Sequence, residues 1–255
     1  MRKDFLNTLI GFSSVFIVIL IWHFASKGMH PILLPGPIAV GGALIELAQS
    51  GMLWDAIVTS LARVFSGWLL GSSIAIPLGL IAGSSILARA ALDPFIHFFR
   101  FVPALALVSL FILWFGIGEL AKVNLIAFAV GFVTLITTAS GASSIDIDKL
   151  NGARSLGANR IDLFFKIIFP ATLPSIFIGM RLALANAFLV IVAAEALAAQ
   201  KGIGFLIWNA RTFFRTDFIF VGIMCFGGLG FICDRLWKLF GKIIISKYLT
   251  KLGNY

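Results

Sequence analysis

The chain has 255 residues, 60% of them hydrophobic and only 12% charged, with a mean hydropathy of +1.05, whereas soluble domains carry about a quarter of their residues as charges. That excludes a water-soluble core, and because each membrane-crossing helix needs about 20 apolar residues, the membrane part is essentially the whole protein. The net charge of +9 comes without an aromatic-interleaved basic face or a nucleic-acid motif, so it reads as membrane-side loops and no nucleic acid is expected as a partner.

Residues 1–3 (Met-Arg-Lys) followed by an apolar run over 5–25 have the charge of a secretory leader. The run is long and lacks a small-residue cleavage site, so it reads as a retained first span. It stops at Ser26-Lys27-Gly28, and Pro31, Pro35 and Pro37 forbid its continuation. Over 38–50, Ala39, Ala43, Leu44 and Leu47 recur at helical spacing with Glu46 and Gln49 on another side, which predicts a short surface helix. A second span covers 61–85 and contains Pro77 and several glycines. Arg89, Asp93-Pro94 and Arg100 precede a third span over 101–114, entered through a bend near Pro103. Ile117-Gly118-Glu119 closes it, and a fourth span runs over 123–143.

Residues 145–166 hold Asp146, Asp148, Lys149, Arg154, Arg160, Asp162 and Lys166, the densest charge in the chain, between two apolar stretches. A fifth span at 176–198, an outer loop at 201–217, a sixth span at 218–239 and a basic tail with Lys242, Lys247 and Lys251 complete the reading. The expected fold is therefore an all-α integral membrane protein of about six transmembrane helices. Its divisions are an N-terminal helix and surface helix (1–58), a core (59–240) holding a cytoplasmic loop (145–170), and a basic cytoplasmic tail (241–255). With both termini inside, 14 of the 20 lysines and arginines fall on the cytoplasmic side, Arg89 and Arg100 among them. Cys225 and Cys233 lie about 12 Å apart along one helix and cannot pair. The three histidines are scattered, so no metal site is expected.

The charged loop has a shape of its own. Small residues at the apex of a helix-turn-helix let it enter a groove on another protein closely, and Gly157 permits the chain reversal. Asn151-Gly152-Ala153-Arg154-Ser155-Leu156-Gly157-Ala158, with Ile167 and Pro170 beyond, resembles the cytoplasmic signature of binding-protein-dependent ABC importer permeases: Glu-Ala-Ala, three residues, Gly, nine residues, Ile-x-Leu-Pro. Ala153, Gly157, Ile167 and Pro170 match it. Asn151 and Gly152 depart from it, and the Glu replaced by Asn151 takes with it any ion pair that it would make. Pro103 through Leu107, Leu113 through Glu119, Ala193-Ala194-Glu195 and Gly202 through Trp208 extend the likeness to the sulfonate, taurine, nitrate and bicarbonate permeases. The resemblance implies a type I importer permease fold, a homodimer of permeases, two cytoplasmic ATPase subunits and an external solute-binding protein. It also implies a bacterial inner-membrane location, with ATP and magnesium used by the ATPase and no cofactor bound by this chain.

Glu195 is the one carboxylate deep in an apolar span. Burial of its charge requires a partner or water, so it is a candidate for the translocation path or an outer gate, with a structural hydrogen bond as the plain alternative. Asn186 and Ser109 are further path candidates, interhelical bonding being their ordinary role. Arg211 and Arg215 lie four apart, on one face if their loop is helical, where they would steer an anion.

The chain has no phosphate-binding loop of the Walker type, so it is not expected to be an enzyme, and the driving hydrolysis must occur in a partner. A secondary transporter or channel is the alternative. It would favour several intramembrane ionisable groups or repeated halves, and the sequence offers one Glu and no visible repeat.

Overall fold

The computed structural model describes residues 2–244, and of residues 2–9, Phe12, Ala198 and Ile244 the backbone only. Lys247 and Lys251 of the expected tail, and the side chains of Arg2 and Lys3, lie outside the described residues. Every regular element among the described residues is helical.

Helix α1 (Arg2–Lys27) ends at the polar cluster expected to stop it. Helix α2 (Pro37–Gln49) has proline in its first turn, where no amide hydrogen is needed. It buries Val40, Ala43 and Leu47 against Leu53 and Val221. Helix α3 (Met52–Ser84) starts nine residues before the expected second span, so the division at 58/59 falls inside it. Helices α4 (Ile86–Phe99) and α5 (Ala104–Phe115) replace the single third span. They meet at 101° across Arg100-Phe101-Val102-Pro103, because Pro103 offers no amide hydrogen to continue α4 and pushes Val102 out of the helical region. Helix α6 (Glu119–Ser143) is the fourth span.

The charged loop folds into α7 (Ile147–Ser155) and α8 (Arg160–Asp162). A π-helical turn over Leu163–Ile168 then leads into α9 (Phe169–Ala198). Pro170 cannot donate to the Lys166 carbonyl, and its ring crowds that group, so a wider turn is the local solution. The stretch expected as an outer loop contains α10 (Ile203–Thr212), and α11 (Thr216–Ile244) closes the described chain. The 240/241 division falls within α11. By length and apolarity four stretches can cross a bilayer, namely Met52–Ser84, Glu119–Ser143, Arg160–Leu197 and Thr216–Ile243, and the bent α4–α5 pair makes a fifth. The described part of α1, Ser13–Lys27, is a shorter apolar helix.

Helices α3, α6 and α9 form the central block. Gly67, Gly71, Gly79 and Gly83 make two small-xxx-small steps on the face of α3 against α6. A methyl group added at Gly71 would strike the backbone of Ala127, so the two helices touch main chain to main chain, the approach that favours association where lipid offers no hydrophobic drive. Beside them Val64, Trp68, Phe111, Ile126, Val130, Leu184 and Ile191 fill the core. The Trp68 indole donates to the Met180 carbonyl at 2.8 Å, and that of Trp237 to Phe177 at 3.1 Å. Large apolar side chains such as Val58, Leu69, Ile74, Met224 and Phe231 stay exposed on the outer faces of α3 and α11, an arrangement suited to lipid and not to water.

Candidate functional site

The hairpin is built from its caps inward. Asp146 caps α7 through its side chain, accepting from the Asp148 amide at 3.0 Å. At the far end Gly157 has φ +88°, a left-handed conformation that disfavours any side chain. Its amide donates to the Arg154 carbonyl at 2.9 Å and that of Ala158 to Ala153 at 3.0 Å, the paired bonds of a Schellman stop. Asn159 then starts α8 with a reciprocal cap to Asp162. Arg154 reaches back to Asn151 Oδ1 at 3.0 Å, and Lys166 pairs with Asp162 at 2.6 Å. No residue of α7 is buried. Leu156 beside the reversal is 90% exposed, and Ile147, Ile161 and Phe165 are exposed near it. Asn151, Gly152, Ala153, Arg154, Ser155, Leu156, Gly157 and Ala158 thus share one projecting hairpin, whereas Ile167 and Pro170 lie at its root, where it joins α9.

At the opposite end of α9 lies a knot of charge. Glu195 is 0% exposed. Its carboxylate accepts from the Ser60 hydroxyl at 2.8 and 2.9 Å, from Arg63 Nη1 at 2.7 Å and from the Gly204 amide at 2.8 Å. Ser60 in turn accepts the Ile203 amide at 2.9 Å. Arg63, itself 5% exposed, also donates to both oxygens of Glu119, at 2.5 and 2.6 Å, and to the Lys201 carbonyl at 2.7 Å. Lys122 pairs with Glu119 at 3.0 Å. Gly202 has φ +122°, and a methyl group there would overlap the Glu195 carboxylate. The Ala193–Glu195 and Gly202–Trp208 segments, separate in the sequence, therefore meet at one carboxylate. Sequence reasoning found Glu195 and missed Ser60, Arg63 and Glu119. An arginine well inside an apolar stretch was the available signal, since such a charge needs a partner.

The other candidates are dispersed. Asn186, nine residues before Glu195, donates to the Ala129 carbonyl at 3.0 Å and lines a cavity between α9, α6 and the α4–α5 bend. Ser109 is exposed on α5. Helix α10 ends at Thr212, so Arg211 and Arg215 do not share a helical face. Arg211 lies over the Trp208 ring at 5.1 Å. Arg215 donates to Asp217 at 3.0 Å and to Glu46 at 2.8 Å and covers Phe218 at 3.7 Å, and Asp217 and then Glu46 raise its pKa above the ordinary guanidinium value. Arg100, counted above with the cytoplasmic loops, sits at the α4–α5 bend beside Phe99, whose ring packs on Phe128 and Phe132 at 5.9 and 5.7 Å in the middle turns of α6. Arg100 itself is exposed.

A family model described as the binding-protein-dependent transport system inner membrane component matches residues 75–245. The putative aliphatic sulfonates transport permease protein SsuC of Escherichia coli (strain K12) is 39% identical over 229 residues, covering 86% of this chain and 87% of the relative. The taurine transport system permease protein TauC of the same organism is 33% identical over 84% of this chain and 80% of its own length. The nitrate import permease protein NrtB of Leptolyngbya laminosa is 36% identical over 74% and 67%. A solved chain of the MetNI methionine ABC transporter, in inward facing conformations, shares the fold with a TM-score of 0.58 at 17% identity, over 73% of this chain and 96% of that one. An all-helical bundle with a projecting polar hairpin, matched by the family model over two thirds of its length, places this chain in the binding-protein-dependent family of inner-membrane components, the permease subunits of ABC importers.

Proposed function

We propose that two copies of this chain form the conduit of an importer for a small anion of the sulfonate, taurine, nitrate or bicarbonate class, driven by two separate cytoplasmic ATPase subunits that use ATP and magnesium. An external solute-binding protein delivers the anion, and the membrane is the bacterial inner membrane, with both termini and the α7–α8 hairpin in the cytosol. The observation that carries this reading is the hairpin itself, a fully capped element with an exposed leucine at its tip that buries nothing within its own chain. An exposed apolar tip on a rigid polar element is the form of a surface made for a partner. Asn151 through Ala158 form the docking face, and Ile167 and Pro170 join it to α9. The relatives named for sulfonates, taurine and nitrate support the solute class.

Glu195 acts in this scheme as the lock that holds the α10 segment to α3 and α9, with Asn186 and Ser109 along the path and Arg211 facing the solute-binding protein. Every oxygen of Glu195 is engaged, which leaves it poorly suited to the ion coupling of a secondary transporter.

Tagged chain purified from its native membrane should bring down an ATPase and a solute-binding protein. Gly157→Glu should abolish uptake while the chain remains in the membrane, and it should also lose the ATPase. A variant that keeps the ATPase bound would place docking elsewhere, and labelling of the hairpin from the external face only would overturn the orientation.

A further inference from the structure

Helix α11 gathers its later charges on one flank. At about 100° per residue, Asp234, Arg235, Lys238 and Lys242 fall within a stripe of about 100°, with Phe231 at its head. On one side of the stripe Trp237 and Gly241 turn inward, Trp237 stacking on the Phe177 ring of α9 at 4.7 Å. On the other side Leu236, Leu239 and Ile243 are exposed. Arg181 of α9 joins the stripe by donating to Asp234 at 2.5 and 3.1 Å, and Lys238 pairs with the same carboxylate at 3.4 Å. Arg235 lies over the Phe231 ring at 5.1 Å. Among the described residues Asp234 is the one carboxylate that pairs with any of Arg181, Arg235, Lys238 and Lys242. Four cations against one carboxylate leave the flank with a net charge of +3.

The helix itself is the ruler for depth. Asp217, held with Glu46 by Arg215 at the start of α11, marks one face of the bilayer. Lys238 lies 21 residues further along, about 31 Å at the rise of an α-helix, which matches a hydrocarbon layer roughly 30 Å thick. Lys238 therefore stands at the opposite boundary, the level of the lipid phosphates, with Arg235 just inside it and Lys242 just beyond. That boundary is on the hairpin side, because Gly241 packs on Phe177 near the start of α9. Of the four long apolar stretches α11 is the least covered, with 17% of its apolar window buried against 39–50% in the others. Two copies meeting on this stripe would bring the same positive charge together across their axis, which disfavours a second copy as its cover.

We propose that this flank of α11, with Arg181 of α9, binds the phosphodiester headgroup of an anionic phospholipid from the leaflet on the hairpin side. Arg235 and Lys238 meet the phosphate oxygens as charge-assisted donors, and the acyl chains run along the exposed Phe231, Leu236 and Leu239. A soluble phosphate would meet the cations and leave these apolar side chains uncovered, whereas a lipid answers both. Nothing in this site depends on the solute carried; the leaflet is the cytoplasmic one if the hairpin is cytosolic, as proposed above.

The test uses the full chain in phosphatidylcholine bilayers, with a fluorophore on Leu239→Cys, a 56% exposed position beside the stripe, in a background with Cys225→Ser and Cys233→Ala. Nitroxide-labelled phosphatidylglycerol should quench it at a several-fold lower mole fraction than nitroxide-labelled phosphatidylcholine. Arg235→Gln with Lys238→Gln should reduce that preference by about fivefold or more, since a single cation near the surface is worth about that factor. Arg89→Gln with Lys149→Gln, an equal loss of charge on the same side of the membrane, should leave it within about twofold. No preference with the native charges, or an equal loss in the control pair, would overturn the inference. Loss of the preference on adding inorganic phosphate at constant ionic strength would make the ligand a soluble anion and overturn it too.

Should the double variant not assemble, the decision passes to the native charges with the fluorophore moved to Ile81→Cys, a 47% exposed position near the same end of α3. Phosphatidylglycerol should be preferred at Leu239 several-fold more strongly than at Ile81, and equal preference at the two positions would overturn the inference. Oxidative cross-linking of Leu239→Cys between two copies in the bilayer would place a second copy on the flank and overturn it as well.

Discussion

Removing Arg63 provides the sharpest test of the charge knot. The guanidinium contacts Glu119 at both oxygens, Glu195 at one and the Lys201 carbonyl, so Arg63→Ala strips the fully buried Glu195 of its counter-charge while Ser60 and the Gly204 amide still donate to it. Breaking a buried pair from one side costs about 3–5 kcal/mol. At about 2–4 °C per kcal/mol for a chain of this size, that is on the order of 10 °C in melting temperature. Glu195→Gln should cost less, about 1–3 kcal/mol, because the amide oxygen still accepts from Ser60 and Arg63 keeps Glu119. The double variant Arg63→Met with Glu195→Gln should be less damaging than the sum of the single changes, since it removes both charges together. Detergent-solubilised protein in a Cys225→Ser background, melted with a thiol-reactive fluorophore, gives the readout, because Cys233 is free and buried whereas Cys225 is only half-buried. Melting of Arg63→Ala within about 2 °C of wild type, well short of that expected shift, would refute the reasoning, and so would strict additivity in the double variant.

Other outcomes follow from the same geometry. Gly71→Leu should force α3 away from Ala127 and reduce the amount of folded protein in the membrane, with overpacking of about 1–3 kcal/mol or more read from abundance and melting. Asn159→Ala removes one half of the α8 cap and should cost about 1 kcal/mol locally; amide exchange over residues 158–166 should speed up while the melting temperature of the bundle holds. Glu46→Gln removes one of the two carboxylates on Arg215 at the exposed end of α2. The loss should be under about 1 kcal/mol and should shrink further in high salt, as measured by melting across a salt series.

The sequence was readable where one residue class decides the outcome. Bilayer-length apolar runs mark α6 and α11, and the chain reversal at Gly157 follows from a small residue placed between charged helical stretches. The start of α3 lies nine residues before the expected span, with Asp55 in its first turn, while Arg63, inside that span, is held by a partner 132 residues away in the sequence, Glu195. The 101° angle after α4 was hidden for a similar reason. Pro103 announces a break, but its direction depends on Phe99 finding Phe128 and Phe132 on another helix. Pairing across the bundle is tertiary information, and neither hydropathy nor spacing contains it.

The π turn after α8 carries the chain into α9 without a break, and Arg160–Leu197 runs as one apolar helical stretch of 38 residues. Its distal tip is bolted through Glu195 to α3 and, by way of Arg63, to the first turn of α6. Under the importer reading proposed above, a push on the hairpin would reach that tip along a single continuous helical stretch. Such a push would be shared by α3, α6 and α9, which meet through Arg63, Glu119 and Glu195.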